Sequence, residues 1–136
     1  MPVESDEELV EVLRGERIAV VGASRHPSKD AHRIPRYLHE RGYTVLPVNP
    51  NAETLFGRPA VDHLDDLQGP IDVVDVFRPS GEVADIVDAA IERGDVGTVW
   101  LQLGIHDAEA VDRAEAAGLR VVQDRCMMVE HRRLLG

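Results

Sequence analysis

Three groups of residues in this chain have the types and spacing for chemistry. The first is Gly22-Ala23-Ser24, followed by Arg25, Lys29 and Arg33. A glycine directly after an apolar run lets a ligand approach the backbone, and cations spaced over the next stretch suit phosphate oxygens. The same residues also read as an ordinary strand-to-helix turn, because Gly-Ala-Ser is only part of a glycine-rich fingerprint. The second group is Cys126 with His131 five residues on, types that can form a thiolate pair. A lone cysteine after a strand is more often a small buried residue. The third is Asp72 with Asp75. Three apart in a strand, they point to opposite faces, which speaks against joint acid–base work. His26, His39, His63 and His106 lack metal-ligand spacing and read as solvated surface. No catalytic residue and no metal site is assigned.

The elements that must position these residues follow from the apolar pattern. Val3 to Arg14 reads as an amphipathic helix with Ser5 and Glu8 as a capping box, Leu9, Val12 and Leu13 as its inner face, and Gly15 after its end. Arg17 to Ala23 is a first strand whose continuous apolar run suits burial on both faces. A second helix spans about Ala31 to Arg41, with Pro35 placed in its first turn, where a missing N–H is tolerated. Tyr43 to Val48 is a second strand. Between Ala52 and Gly69 only an edge piece at Ala60-Val61 and a helical turn at Leu64 to Leu67 are legible.

The second half is more regular. Ile71 to Phe77 is a third strand, and Ser80 is placed to cap a helix from Gly81 to Arg93. Thr98 to Leu103 is a fourth strand, Asp107 to Ala117 a helix, Leu119 to Gln123 a fifth strand, and Met128 to Leu135 a closing helix. Trp100 and Tyr37 read as core rather than stacking platforms. Five buried-type strands alternating with helices predict an α/β fold over residues 1–136 as one domain. The expected form is a three-layer Rossmann-like parallel sheet in the order 3-2-1-4-5, helices on both faces. Its ligand crevice would lie beyond the carboxyl ends of the first and fourth strands.

Composition narrows the partners. A formal charge of −10 with 43% apolar residues over 136 residues describes a folded acidic chain. Nonspecific nucleic-acid binding needs a basic face and is excluded, and no apolar run is long enough to span a bilayer. Cytoplasm is the expected location. Lys29 is the one lysine, and acidic residues are spread along the whole chain. That pattern suits a salt-rich, halophilic cytoplasm in which ionic strength screens self-repulsion.

The choice of nucleotide turns on the second strand's end. An NAD site wants a carboxylate there for a ribose hydroxyl, but Asn49-Pro50 occupies it. A neutral Asn49 near Arg25, Lys29 and Arg33 tolerates a further phosphate, which favours coenzyme A or NADP over NAD.

An ordered set of motifs then resembles the small stand-alone CoA-binding domain proteins. They are Val20-Val21-Gly22-Ala23-Ser24, His32-Arg33-Ile34-Pro35-Arg36-Tyr37-Leu38 and Gly42 to Pro50. Further along come Asp72-Val73-Val74-Asp75-Val76-Phe77-Arg78, Trp100 to Gly104 and Asp124-Arg125-Cys126. These proteins are similar to the CoA-binding domain of the succinyl-CoA synthetase α subunit. The resemblance implies a Rossmann-like fold holding coenzyme A along the carboxyl ends of the strands. Gly22, Ala23 and Ser24 would meet the phosphates, and Arg25, Lys29 and Arg33 would supply positive charge. Asn49 and Pro50 would flank the adenosine, Phe77, Arg78 and Pro79 would border the site, and Gln102, Leu103 and Gly104 would lie near the pantetheine path. His32 departs from the family pattern, which has a tyrosine there.

The synthetase's phosphorylated histidine belongs to a second domain, so its ligase reaction is not expected here. The expected function is therefore a non-catalytic binding or regulatory module for CoA or an acyl-CoA. The alternative is an enzyme, either NADP- or NAD-dependent or an acyl-CoA-processing one using Cys126 and His131. A homo-oligomer or a partner enzyme is left open.

Overall fold

The computed structural model describes residues 1–136. The elements run α1 (Asp6–Leu13), β1 (Arg17–Val21), α2 (Asp30–Glu40), β2 (Thr44–Val48), β3 (Thr54–Leu55), β4 (Arg58–Pro59), β5 (Ile71–Val76), α3 (Val83–Arg93), β6 (Val96–Leu101), α4 (Ala108–Ala116), β7 (Arg120–Val122) and α5 (Met127–Leu134). The main sheet is parallel and has five strands in the order β2-β1-β5-β6-β7. Alternate residues of each strand feed two separate cores. Ile18, Val20, Val73, Trp100 and Val122 pack under α1, α2 and α5, against Leu9, Leu13, Leu38 and Met127. Ala19, Val74, Val76, Val99 and Leu101 pack under α3 and α4, against Val83, Val87, Ala110 and Ala114. Full burial of side chains such as Leu38 and Leu101 contributes about 1.5–3 kcal/mol each. The expected α/β Rossmann-like three-layer fold is the one observed.

The strand order is not. Among the five long strands the sequence is second, first, third, fourth, fifth, instead of 3-2-1-4-5. The reason lies on the outer edge of β2. Pro47 sits in that strand with its carbonyl turned outward, where it accepts the Val61 N–H at 3.1 Å. Proline has no N–H to give a further strand, so it belongs on an edge. Val61 bridges Val48 and covers that side, and β5 pairs with β1 instead. The reversal of strand order therefore falls between β1 and β5, and ligands of such sheets bind beyond the carboxyl ends at that point.

Other differences are local. Pro35 is the sixth residue of α2, not part of its first turn. A two-stranded hairpin, β3 with β4, was not expected. Its turn residues Phe56 and Gly57 both have positive φ, 53° and 76°, the geometry that tight hairpin turns demand. Ser80 opens a short 3-10 turn, Ser80–Glu82, ahead of α3. Its hydroxyl accepts the His106 N–H at 2.9 Å rather than capping α3.

Candidate functional site

The crevice is built by the turn after β1. Gly22 has φ +89°, and a Cβ placed on it would stand 2.7 Å from Cδ of Arg78 and 3.4 Å from the carbonyl carbon of Phe77. The left-handed φ is what calls for glycine here, and a side chain would in addition displace that of Arg78. The turn itself is fixed from behind. The Ala23 carbonyl accepts Nδ2 of Asn49 at 2.6 Å, while Oδ1 of Asn49 accepts the Asn51 N–H at 2.8 Å. The Ser24 carbonyl accepts Nδ1–H of His32 at 2.6 Å. The Ser24 N–H donates to the Ala31 carbonyl at 3.0 Å. Ala31 is four residues before Pro35, so its carbonyl has no helical donor and is free to take this bond. Pro35 thus ties the turn to the helix that follows it.

What remains open at the front is cationic. Gly22, Ala23, Ser24, Arg25, Lys29, Asn49, Phe77 and Arg78 line a cavity of about 310 Å³ together with His26, Ala31 and Asn51. Lys29 is the N-cap of α2 and leaves that helix start without a side-chain cap. The first N–H groups of a helix lack internal partners and carry the positive end of its dipole. Neither Arg25 nor Lys29 forms an ion pair, although the chain is strongly acidic.

A second cavity of about 370 Å³ shares Gly22, Asn49 and Arg78 and adds Pro50, Asp62, His63 and Glu82. Arg78 stands between the two. Its guanidinium grips Glu82 at 2.7 Å and 3.1 Å, which raises the Arg78 pKa and lowers that of Glu82.

Other expected site residues are placed differently. Arg33 binds Asp30 at 2.7 Å and does not line the cationic cavity. Pro79 precedes the turn at Ser80 without lining either cavity. Gln102 is buried, and its Nε2 donates to Oδ1 of Asp75 at 2.5 Å inside the sheet. It faces the core because it continues the inward alternation of Trp100. Leu103, by contrast, is 65% exposed, and the Gly104 N–H donates to Oδ1 of Asp124 at 2.8 Å. Trp100 and Tyr37 are core residues as expected.

Asp75 is wholly buried with its second oxygen, Oδ2, unpartnered. Burial pushes its carboxyl up to about 7, and the bond from Gln102 opposes the shift. The sequence singled it out only as half of a pair with Asp72. Asp72 instead points the other way and accepts the N–H groups of Glu16 and Arg17, each at 2.8 Å. His32 likewise stands out in the sequence only as a departure from the family pattern.

Cys126 and His131 do not form a pair. Cys126 precedes α5 and lines a cavity with Leu103, Asp124 and Val129. His131 lies further along the helix and lines a different cavity with Leu13, Arg41 and Tyr43. Its Nδ1 meets the Tyr37 hydroxyl at 2.8 Å. Burial, and then the nearby Arg41 cation, lower its pKa.

Residues 16–132 match the sequence model of a family described as the CoA binding domain. The YneT protein of Bacillus subtilis, itself uncharacterised, is 36% identical over 128 residues, spanning 93% of this chain and 94% of that protein. A Thermus thermophilus protein solved as cell-free ID.343 is 47% identical with a TM-score of 0.92, covering 97% of this chain and 100% of that one. The α subunit of an ADP-forming acetate–CoA ligase II from Pyrococcus furiosus is 28% identical over 120 residues. That match takes in 81% of this chain but only 26% of the ligase subunit.

Proposed function

Because this chain belongs to the CoA binding domain family, we propose that it binds coenzyme A or an acyl-CoA at the carboxyl ends of β1, β2 and β5. In this reading it is a non-catalytic binding or regulatory module, serving as carrier, sensor or partner of an enzyme. The observation that carries the reading is the pair of uncommitted cations, Arg25 and Lys29, beside a glycine turn and an uncapped helix start. Phosphate groups are the ligand chemistry these features suit, through charge-assisted bonds and free N–H groups. The acidic half of the crevice, with Asp62 and Glu82, suits hydroxyl and amine donors instead.

Two further observations support a binding role over catalysis. Cys126 and His131 line separate cavities. Asn49 braces two loops through both ends of its amide, where an NAD site would present a carboxylate. No helix is long and apolar enough to cross a membrane. The scattered acidity with a single lysine makes concentrated KCl the appropriate medium for measurement.

Calorimetric titration with CoA, dephospho-CoA, NADP and NAD tests the reading. CoA is expected to bind, and to bind more weakly once its 3′-phosphate is removed. Heat from NADP or NAD with none from CoA would overturn it.

A further inference from the structure

The carboxyl edge of the sheet does not end at the cationic cavity. Beyond β6 and β7 lies a separate cavity of about 430 Å³ lined by Leu103, Val129, Arg125 and the carboxylates of Glu4, Asp124 and Glu130, among others. Leu103 is 65% exposed and Val129 50%, which makes them two of the four large hydrophobic side chains left open to solvent. Both face the same hollow. Paired exposed aliphatics in a concave site mark a place for an apolar ligand group.

We infer that this cavity seats the acyl group of an acyl-CoA, and that it selects short uncharged acyl groups over those ending in a carboxylate. The inference rests on the proposed CoA site. From β1 the edge crosses β5 and β6 to reach β7, three strand spacings or roughly 14 Å, a span within reach of an extended pantetheine arm. Phosphates held at Gly22 to Lys29 would therefore deliver the thioester end to Leu103 and Val129.

Charge sets the selectivity. Arg125 is tied to Glu130 at 3.1 Å, and Glu130 also to Arg133 at 2.7 Å, so the one arginine of the lining is already neutralised. Glu4 and Asp124, which have no cationic partner, would repel an incoming carboxylate. Leu103 and Val129 gain by covering methylene groups, on the order of fourfold in affinity for each one fully buried.

The experiment is titration of the full chain with CoA, butyryl-CoA and succinyl-CoA. Butyryl-CoA is expected to bind severalfold more tightly than CoA, and succinyl-CoA severalfold more weakly than butyryl-CoA. Val129→Ser, on an exposed helix position, should shrink the butyryl-CoA to CoA ratio toward one, and Glu4→Gln should raise the relative affinity for succinyl-CoA. A thermal unfolding scan of each variant confirms the fold. Equal affinities for all three ligands, with CoA bound, would overturn the acyl site alone. Absence of CoA binding would remove the proposed function and this inference together.

Discussion

The two rims of the sheet use charge in opposite ways. At the amino-terminal rim three charges are committed to the backbone. Asp72 holds two N–H groups, Arg17 holds the carbonyls of Gln68 and Pro70, and Arg93 holds those of Leu64, Leu67 and Gly69 while pairing with Asp95. At the carboxyl-terminal rim Arg25 and Lys29 are committed to nothing, and Arg78 is held only by an exposed carboxylate. The first rim ties the 64–70 loop and the start of β1 to the sheet. The second leaves Arg25 and Lys29 without an ion pair beside an open cavity. Lack of an ion pair alone does not mark a site, since Arg14 and Arg41 at the first rim also have none. Arg25 and Lys29 differ in standing beside a glycine turn and an uncapped helix start.

The largest expected effect comes from Asp75, buried just below the open rim. Its carboxyl is raised from the ordinary 3.8 to about 7, so the folded state is penalised wherever the unfolded chain would ionise. The penalty is absent below about pH 3.8, grows through the interval, and is complete above about pH 7. That gap corresponds to about 4 kcal/mol. Asp75→Asn should therefore be more stable than the parent at pH 8, by about 2–4 kcal/mol. Near pH 4 the two should converge, as read by urea denaturation. Parallel stability curves across that range would contradict the account of this residue.

Next comes Arg93→Ala at the closed rim. It strips the Leu67 and Gly69 carbonyls of their donor and leaves the Leu64 carbonyl only the Leu67 N–H, around a side chain only 9% exposed, for a loss of about 2–3 kcal/mol. CoA affinity of the folded variant should not change. A loss of affinity without a loss of stability would erase the contrast between the rims.

At the open rim the pattern should invert. Arg25→Ala and Lys29→Ala should each lower CoA affinity about tenfold, or about 1.4 kcal/mol, with unfolding midpoints nearly unmoved. Unchanged calorimetric affinity in both variants would leave the open rim without a function. The smallest effect is expected from Glu82→Gln, which frees Arg78 from its ion pair and removes a negative charge from the cleft. CoA should bind a few-fold more tightly, and weaker binding would mean that Glu82 itself contacts the ligand.

The fold class was legible because it rests on apolar runs such as Ile18 to Val20 and Val99 to Leu101, whose burial leaves few alternatives. Strand order was misread although Pro47 signalled an edge strand, because order depends on which edge is covered, and Val61 covers it across a loop. The hairpin at Phe56-Gly57 escaped notice since a phenylalanine with positive φ has no local signature. In the site, the glycine turn and its flanking cations were visible as a pattern. The separation of Arg33 from Arg25 and Lys29 was not, because Asp30 takes the Arg33 guanidinium one helical turn away. Gln102 was misplaced for a related reason. Its type suggests a ligand contact, while its position in the strand alternation sends it to Asp75.

The central claim is that the ligand lies along the carboxyl rim and nowhere near the amino rim. Titrating the isotope-labelled protein with CoA and following backbone amide resonances tests it directly. Shifts concentrated at residues 22–29, at Asn49, at Phe77 and Arg78, and onward to Leu103 and Gly104 are predicted. Shifts centred instead on Glu16, Arg17, Asp72 and Arg93, or no shifts at saturating CoA, would contradict it.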